Sequence, residues 1–335
     1  MAERILILGA SDRGKTYTVH QLAREAARTH KVALIDGDTG QSELGPPGTV
    51  SWAWMQPEGP QRGGTRFVGA LSPASAALEQ IIALTEVVRQ AETAGAQLLF
   101  LDTPGYVTGP GARRFLASLV QALTPNRILV LEKDGELGSL PSLLATLSGA
   151  ELSPLPVADA VVRKSPSVRA TRRLTRLARA LEGATEHQLA LEGLTTLGAT
   201  LGTGAPIAPH LARWAGTALR LSCVYGEIAE GTLALFVNGL LRPGWESLVG
   251  LTLDHFRVTR VRAISLTSLE GVCLGLHDEK GRYLGIGRFL GLDPETQRLK
   301  LSTTVPLEYL ALLTFGRFRI TADGQMLGEL KPGEL

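Results

Sequence analysis

The chain has 335 residues, a net charge of +2, and 44% hydrophobic and 20% charged side chains, the balance of an ordinary soluble globular protein. That total charge does not by itself indicate a nucleic-acid binder. No apolar run is long enough for a signal peptide or membrane span, and Cys223 and Cys273 lie too far apart for a metal motif, so a cytoplasmic protein with two small buried thiols is expected.

The first half alternates short apolar runs with amphipathic stretches. Strands are predicted at Arg4–Gly9, Lys31–Asp36, Gln97–Asp102, Arg127–Leu131 and Ala158–Val162, and helices at Lys15–Arg28, Pro73–Ala94 and Ala112–Leu123. Such alternation predicts a parallel sheet with helices on both faces. Gly59–Gly64 and Gly202–Pro209 read as loops. From about His187 the pattern changes to short alternating runs, Gly216–Tyr225, Leu233–Val237, Leu284–Gly291 and Leu299–Thr303. The expected division is therefore an α/β domain over 1–186 and a β-rich C-terminal domain over 187–335.

Between the first strand and helix stands Gly9-Ala10-Ser11-Asp12-Arg13-Gly14-Lys15-Thr16, followed by Tyr17. It fits the G-x-x-x-x-G-K-[ST] phosphate loop in the strand–loop–helix context that the motif requires. Loop N–H groups and the helix N-terminus cradle phosphates, Lys15 neutralises their oxygens, and Thr16 is placed to ligate Mg²⁺. ATP or another NTP is the expected ligand. Asp36 and Asp38 end the second strand and Asp102 ends the third, at the strand ends where ligands bind in such sheets. Carboxylates there hold Mg²⁺ or accept a proton from an attacking hydroxyl, and both roles stay open for the Asp36/Asp38 pair. "DTPG", Asp102–Gly105, also occurs in GTPases.

Several blocks together resemble the polynucleotide 5′-hydroxyl kinase family, which includes the kinase subunit of the mRNA 3′-end cleavage machinery and nucleolar rRNA-processing kinases. Asp36-Gly-Asp38-Thr-Gly40-Gln41 with Gly45-Pro-Pro-Gly48-Thr-Val-Ser51 looks like the family's D-x-D-x-G-Q…P-G-x-[VI]-S signature. Phe67–Pro73 and Thr103–Gly111 resemble two further family blocks, as do Gly275–Gly287 and Thr314–Ile320 near the C-terminus. The chain departs from the family in three places. Many members carry a domain ahead of the phosphate loop, whereas here the first strand opens the chain. Asp102 stands where members often have Asn, and Tyr106 where they often have Trp.

The resemblance implies a fold and an activity. The fold is a phosphate-loop NTPase-type parallel sheet with an arginine-bearing helical lid, about 163–182, plus the β-rich domain. The activity is Mg²⁺-dependent transfer of the γ-phosphate of an NTP to the 5′-OH end of RNA or DNA, single-stranded or duplex. Asp38 then takes the hydroxyl proton, and Asp36, Asp102 and Thr16 serve the metal. Gln41, Ser51 and Tyr106 face the acceptor, Tyr106 as a stacking face or as a plain wall. Six arginines crowd Arg163–Arg179. Arg169, Arg172, Arg173 and Arg176 fall on neighbouring helical turns, with Arg169 and Arg173 expected at the transferring phosphoryl group and Arg172 and Arg176 at the substrate. A solvated basic helix is the plainer reading of the same run. Lys133 follows the fourth predicted strand and either lines the nucleobase site or sits in a solvated loop. No membrane contact is expected, and no protein partner is inferable. A hydrolytic GTPase or ATPase switch and a non-catalytic nucleotide-binding scaffold are the alternative functions.

Overall fold

Leu-, Ile- and Val-rich runs form the sheet that positions everything else in the N-terminal half. The computed structural model describes residues 2–157, 165–331 and 334. The chain divides into two units, Met1–Arg176 and Leu177–Leu335.

The first unit contains, in chain order, β1 (Glu3–Gly9), α1 (Lys15–Ala26), β2 (Val32–Asp36), β3 (Thr49–Gln56), β4 (Gly59–Phe67) and α2 (Pro73–Thr93). There follow β5 (Leu98–Asp102), α3 (Gly109–Leu123), β6 (Arg127–Leu131), α4 (Leu140–Ser148), β7 (Glu151–Leu155) and, up to Arg176, the greater part of α5 (Pro166–Leu181). The sheet order is β4-β3-β2-β5-β1-β6-β7. β2, β5, β1, β6 and β7 run parallel, and β3 and β4 return antiparallel. Alternate residues of β1 enter opposite faces. Leu6 and Leu8 join a core with Val87 and Leu116, while Ile5 and Ile7 join another with Val19 and Ala23. Helices therefore cover both faces, as the strand–helix alternation predicts.

One feature of this sheet was not read from the sequence, and another corrects that reading. β2 does not lie next to β1, because β5 runs between them; Asp36 is level with Asp102, and Asp102 is level with Ile7. Gly59–Gly64 belongs to β4 and is not a loop. A Cβ on Gly63 would stand 2.5 Å from the Trp52 indole of β3, so glycine here makes room for a cross-strand aromatic and erases the alternation that would mark a strand. Thr49–Gln56 and Glu151–Leu155 are further strands beyond those expected. The strand expected at Ala158–Val162 and the first residues of the lid range lie outside the described residues.

The second unit holds two sheets. One orders Ala205–Pro206, Cys223–Ala229, Thr232–Val237 and Arg260–Ser265. The other orders Met326–Glu329, Leu312–Ile320, Val272–His277, Tyr283–Leu292, Leu299–Thr303 and Thr185–Leu189, with Thr195–Leu197 beside Leu312–Ile320. Most pairs are antiparallel, as expected for a β-rich domain. Gly216–Tyr225 is not one extended run. Pro209–Leu219 is a helix that buries Ala212, Ala215, Gly216 and Leu219 at helical spacing, and the strand begins at Cys223. Cys223 and Cys273 are free and buried. Among the described residues no helix is long and apolar enough to cross a membrane.

Candidate active site

β1 stops at Gly9 and α1 starts at Lys15, so the intervening loop opens at the carboxyl edge of the sheet. Asp12 (φ 59°) and Gly14 (φ 79°) adopt left-handed backbone that curls the loop. Lys15 is buried, and its Nζ donates to the Ala10 carbonyl at 3.0 Å. The Asp102–Gly105 turn comes so close that a Cβ on Gly105 would lie 2.7 Å from the Ser11 nitrogen. Only glycine fits there. A cleft of about 960 Å³ lies over this loop, a volume suited to a nucleotide-sized ligand.

Three carboxylates stand behind or beside the cleft in different surroundings. Asp102 is buried; its Oδ2 accepts from Thr16 Oγ1 at 2.5 Å, and its Oδ1 is buried without a partner among the described residues. Burial pushes its carboxyl up to about 7, against the nearby Lys15 charge and the Thr16 hydrogen bond. Asp36 is buried as well, and burial raises it to about 6 despite hydrogen bonds from Leu44 N, Ser42 Oγ and Glu43 N. Its Oδ2 accepts all three of those bonds and its Oδ1 accepts from Asp38 N at 3.3 Å. The chain's own donors thus claim Asp36, and its geometry shapes the loop where a metal role was expected. Asp38 lines the cleft. Its Oδ1 accepts from Gly40 N and Gln41 N, each at 3.0 Å, which leaves Oδ2 without a chain donor among the described residues.

The first turns of α5 supply the basic wall. Arg169, Arg172 and Arg173 line the cleft. Arg169 Nη2 is paired with Asp12 Oδ2 at 2.5 Å, and Gln41 Nε2 approaches the Arg169 carbonyl at 3.5 Å. Arg173 Nε is buried without a hydrogen-bond partner among the described residues. Among the described residues, Arg172 and Arg173 have no acidic partner.

Most of the residues singled out from sequence meet here: Ser11, Asp12, Gly14, Lys15, Thr16, Tyr17, Asp38, Gln41, Asp102 and Tyr106 with the three arginines. Gly9 and Ala10 form the loop's base. Five others are not in the cleft wall. Arg13 turns away into an ion pair with Glu136 at 2.6 Å. Asp36 lies behind the cleft in a small cavity with Thr16, His20 and Asp102. Ser51 is buried inside β3, where its hydroxyl meets that of Thr65 at 2.8 Å. Lys133 is exposed on the loop after β6, and Arg176 is outside the lining. The lining also includes His20, Glu43, Ser72 and Pro73, to which sequence reasoning gave no functional role. His20 follows Thr16 by one helical turn, so the period of α1 carried that signal; Ser72 caps α2 by accepting from Ala74 N.

Known proteins are similar to this chain in sequence and in fold. The polyribonucleotide 5′-hydroxyl-kinase of Thermococcus kodakarensis is 28% identical over 346 residues, covering 99% of this chain and 92% of that protein. The enzyme of the same name from Methanocaldococcus jannaschii is 23% identical over 338 residues, covering 98% and 90%. The solved structure of the wild-type Clp1p–Pcf11p complex is similar in fold, with a TM-score of 0.60 at 16% identity over 95% of this chain and 74% of that one. Residues 9–183 match the family model described as mRNA cleavage and polyadenylation factor CLP1 P-loop. With more than half of the chain inside that match and the phosphate loop at its first residue, the chain belongs to the CLP1 P-loop family.

Proposed function

We propose that this protein is a polynucleotide 5′-hydroxyl kinase that uses an NTP as donor and acts on RNA ends. One observation carries the reading: a single cleft joins the donor loop to a carboxylate and an aromatic that hydrolysis of an NTP by water would not need, Asp38 and Tyr106. The names of the similar archaeal kinases support RNA as the acceptor.

The loop amides and Lys15 grip the donor's β- and γ-phosphates, for which Lys15 exchanges its contact with the Ala10 carbonyl. Mg²⁺ is the proposed cation, and the residues fit it. Among the described residues, Asp102 has a buried oxygen without a partner beside the Thr16 hydroxyl. Among the described residues no cage of three or more His, Cys, Asp or Glu exists. One carboxylate and one hydroxyl, completed by phosphate oxygens and water, is the sparse protein ligation this ion prefers. When bound, it neutralises charge on the phosphates. Asp38 Oδ2 accepts the proton of the 5′-hydroxyl, whose oxygen then forms the new bond to the γ-phosphorus as the bond to the leaving β-phosphate oxygen breaks. Arg172 and Arg173 offset negative charge on the transferring group. Tyr106 provides a flat face for an acceptor base, packed against Phe115 with ring centroids 6.4 Å apart.

Incubation with γ-labelled NTP, Mg²⁺ and matched 5′-OH RNA and DNA oligonucleotides tests the proposal. Label is expected on the RNA. Free phosphate alone would identify a hydrolytic switch, and no turnover with intact NTP binding would identify a scaffold.

A further inference from the structure

A carboxylate inside a phosphate loop is an electrostatic contradiction. The loop exists to attract polyphosphate, yet its fourth residue is Asp12, whose side chain is only 7% exposed. Neighbouring charges resolve it. Arg169 Nη2 holds Asp12 Oδ2 at 2.5 Å from the first turns of α5. The next loop residue, Arg13, faces the other way to Glu136 at 2.6 Å and leaves Asp12 to the lid. The same Arg169 meets Gln41 Nε2 through its carbonyl, and Gln41 N is held by Asp38. One lid residue thus touches the donor loop with its side chain and the acceptor loop with its backbone.

We propose that Asp12 is a positioning residue. Its ion pair with Arg169 docks the lid helix on the phosphate loop and thereby places Arg172 and Arg173 over the phosphoryl oxygens. Arg169 is then the anchor of the lid and is not one of its phosphate contacts. The contact is single-pronged, one guanidinium nitrogen to one oxygen, whereas arginine–phosphate contacts are frequently two-pronged. Docking is long-range, joining positions 157 residues apart. The left-handed backbone at Asp12 (φ 59°) admits Asp and Asn but few other residues, so the carboxylate sits where the loop tolerates it.

This inference rests on the kinase reading, and a double-mutant cycle tests it separately. Asp12→Asn keeps the backbone conformation and removes the charge. The kcat and donor KM of phosphoryl transfer would be measured for wild type, Asp12→Asn, Arg169→Ala and the double variant, together with binding of a fluorescent non-hydrolysable NTP. Each single change should lower kcat by about 10-fold, and the double variant should match the singles within about 3-fold, since both break one contact. Arg169→Ala alone should also weaken analogue binding, because it leaves Asp12 unneutralised beside the phosphates. Adding Asp12→Asn should restore that binding. Arg169→Lys should retain most of kcat, since an ammonium can make a one-pronged contact. Losses in kcat that multiply in the double variant, or wild-type kcat in Asp12→Asn, would overturn the proposal. Absence of transfer by the wild type would instead remove the kinase reading. The analogue-binding cycle then still decides whether Asp12 and Arg169 act as one unit.

Discussion

Thr16 Oγ1 lies 2.5 Å from Asp102 Oδ2, while the buried Asp102 Oδ1 has no partner among the described residues. The two residues come from neighbouring strands' carboxyl ends, one through α1 and the other from β5. A buried oxygen without a donor is costly, and a cation is what such an oxygen accommodates.

The first prediction follows from the charge state of that carboxylate. Burial raises Asp102 to about 7. Unfolded, an aspartate titrates near ~3.9, so the folded chain holds the proton more tightly. The stability this provides is full below about pH 4 and is lost as pH rises to about 7. Asp36, raised by burial to about 6, acts with the same sign. Without divalent cation, Tm should fall between about pH 4 and pH 7. A cation prefers the ionised carboxylate, so the Tm gained from Mg²⁺ over EDTA should grow with pH to about 7 and then level off. Thermal melts across that range, with Asp102→Asn as the control that loses most of the dependence, check this. A cation gain that is flat with pH would take Asp102 out of the metal site.

Lys15→Ala should abolish transfer while leaving a folded protein. Lys15 contributes a point charge over the loop, and its Nζ donates to the Ala10 carbonyl. Its charge also holds Asp102 down, so the variant should need a higher pH to respond to Mg²⁺. Transfer assays and circular dichroism melts measure the two effects; activity near wild type would show that donor phosphates bind elsewhere.

Asp36 and Asp38 should separate by phenotype. Asp38→Asn keeps Oδ1 as the acceptor for Gly40 N and Gln41 N, so the loop and Tm should hold while kcat drops by about 10²–10⁴ with the proton acceptor gone. Asp36→Asn must face Ser42, Glu43 and Leu44 donors with one acceptor fewer, and should destabilise by about 1–3 kcal/mol. Denaturant melts alongside kcat distinguish them. A stable, inactive Asp36→Asn beside an active Asp38→Asn would reverse the assignment.

Arg173→Ala should lower kcat by about 10²–10³ with a smaller change in donor KM, the scale of losing one preorganised electrostatic partner. Arg173→Lys should recover little, because an ammonium lacks the planar fork. The plainer alternative, a basic helix that merely attracts nucleic acid, predicts a raised oligonucleotide KM, good rescue by Lys and mimicry by added salt. Steady-state kinetics at two salt concentrations separate the cases.

What sequence alone determined are the features whose physics is local. The phosphate loop is legible because eight consecutive residues, Gly9–Thr16, carry its turn, its charge and its hydroxyl. Strands β1, β2, β5 and β6 are legible because apolar runs bury both faces of a parallel sheet. β4 was not, because Gly63 and Gly64 yield their space to Trp52 on another strand. Strand order was hidden too: nothing local in β2 reports that β5 separates it from β1. Tertiary structure alone also decided the division of labour among like residues. Asp36 and Asp38 look interchangeable in sequence, but one is enclosed by the donors of Ser42–Leu44 and the other opens on the cleft. Arg169, Arg172 and Arg173 share one basic run, yet only Arg169 meets Asp12. The reason is physical: helical or strand spacing sets which way a side chain points from its own element, while its charge state and partner depend on what distant chain segments bring within hydrogen-bond reach.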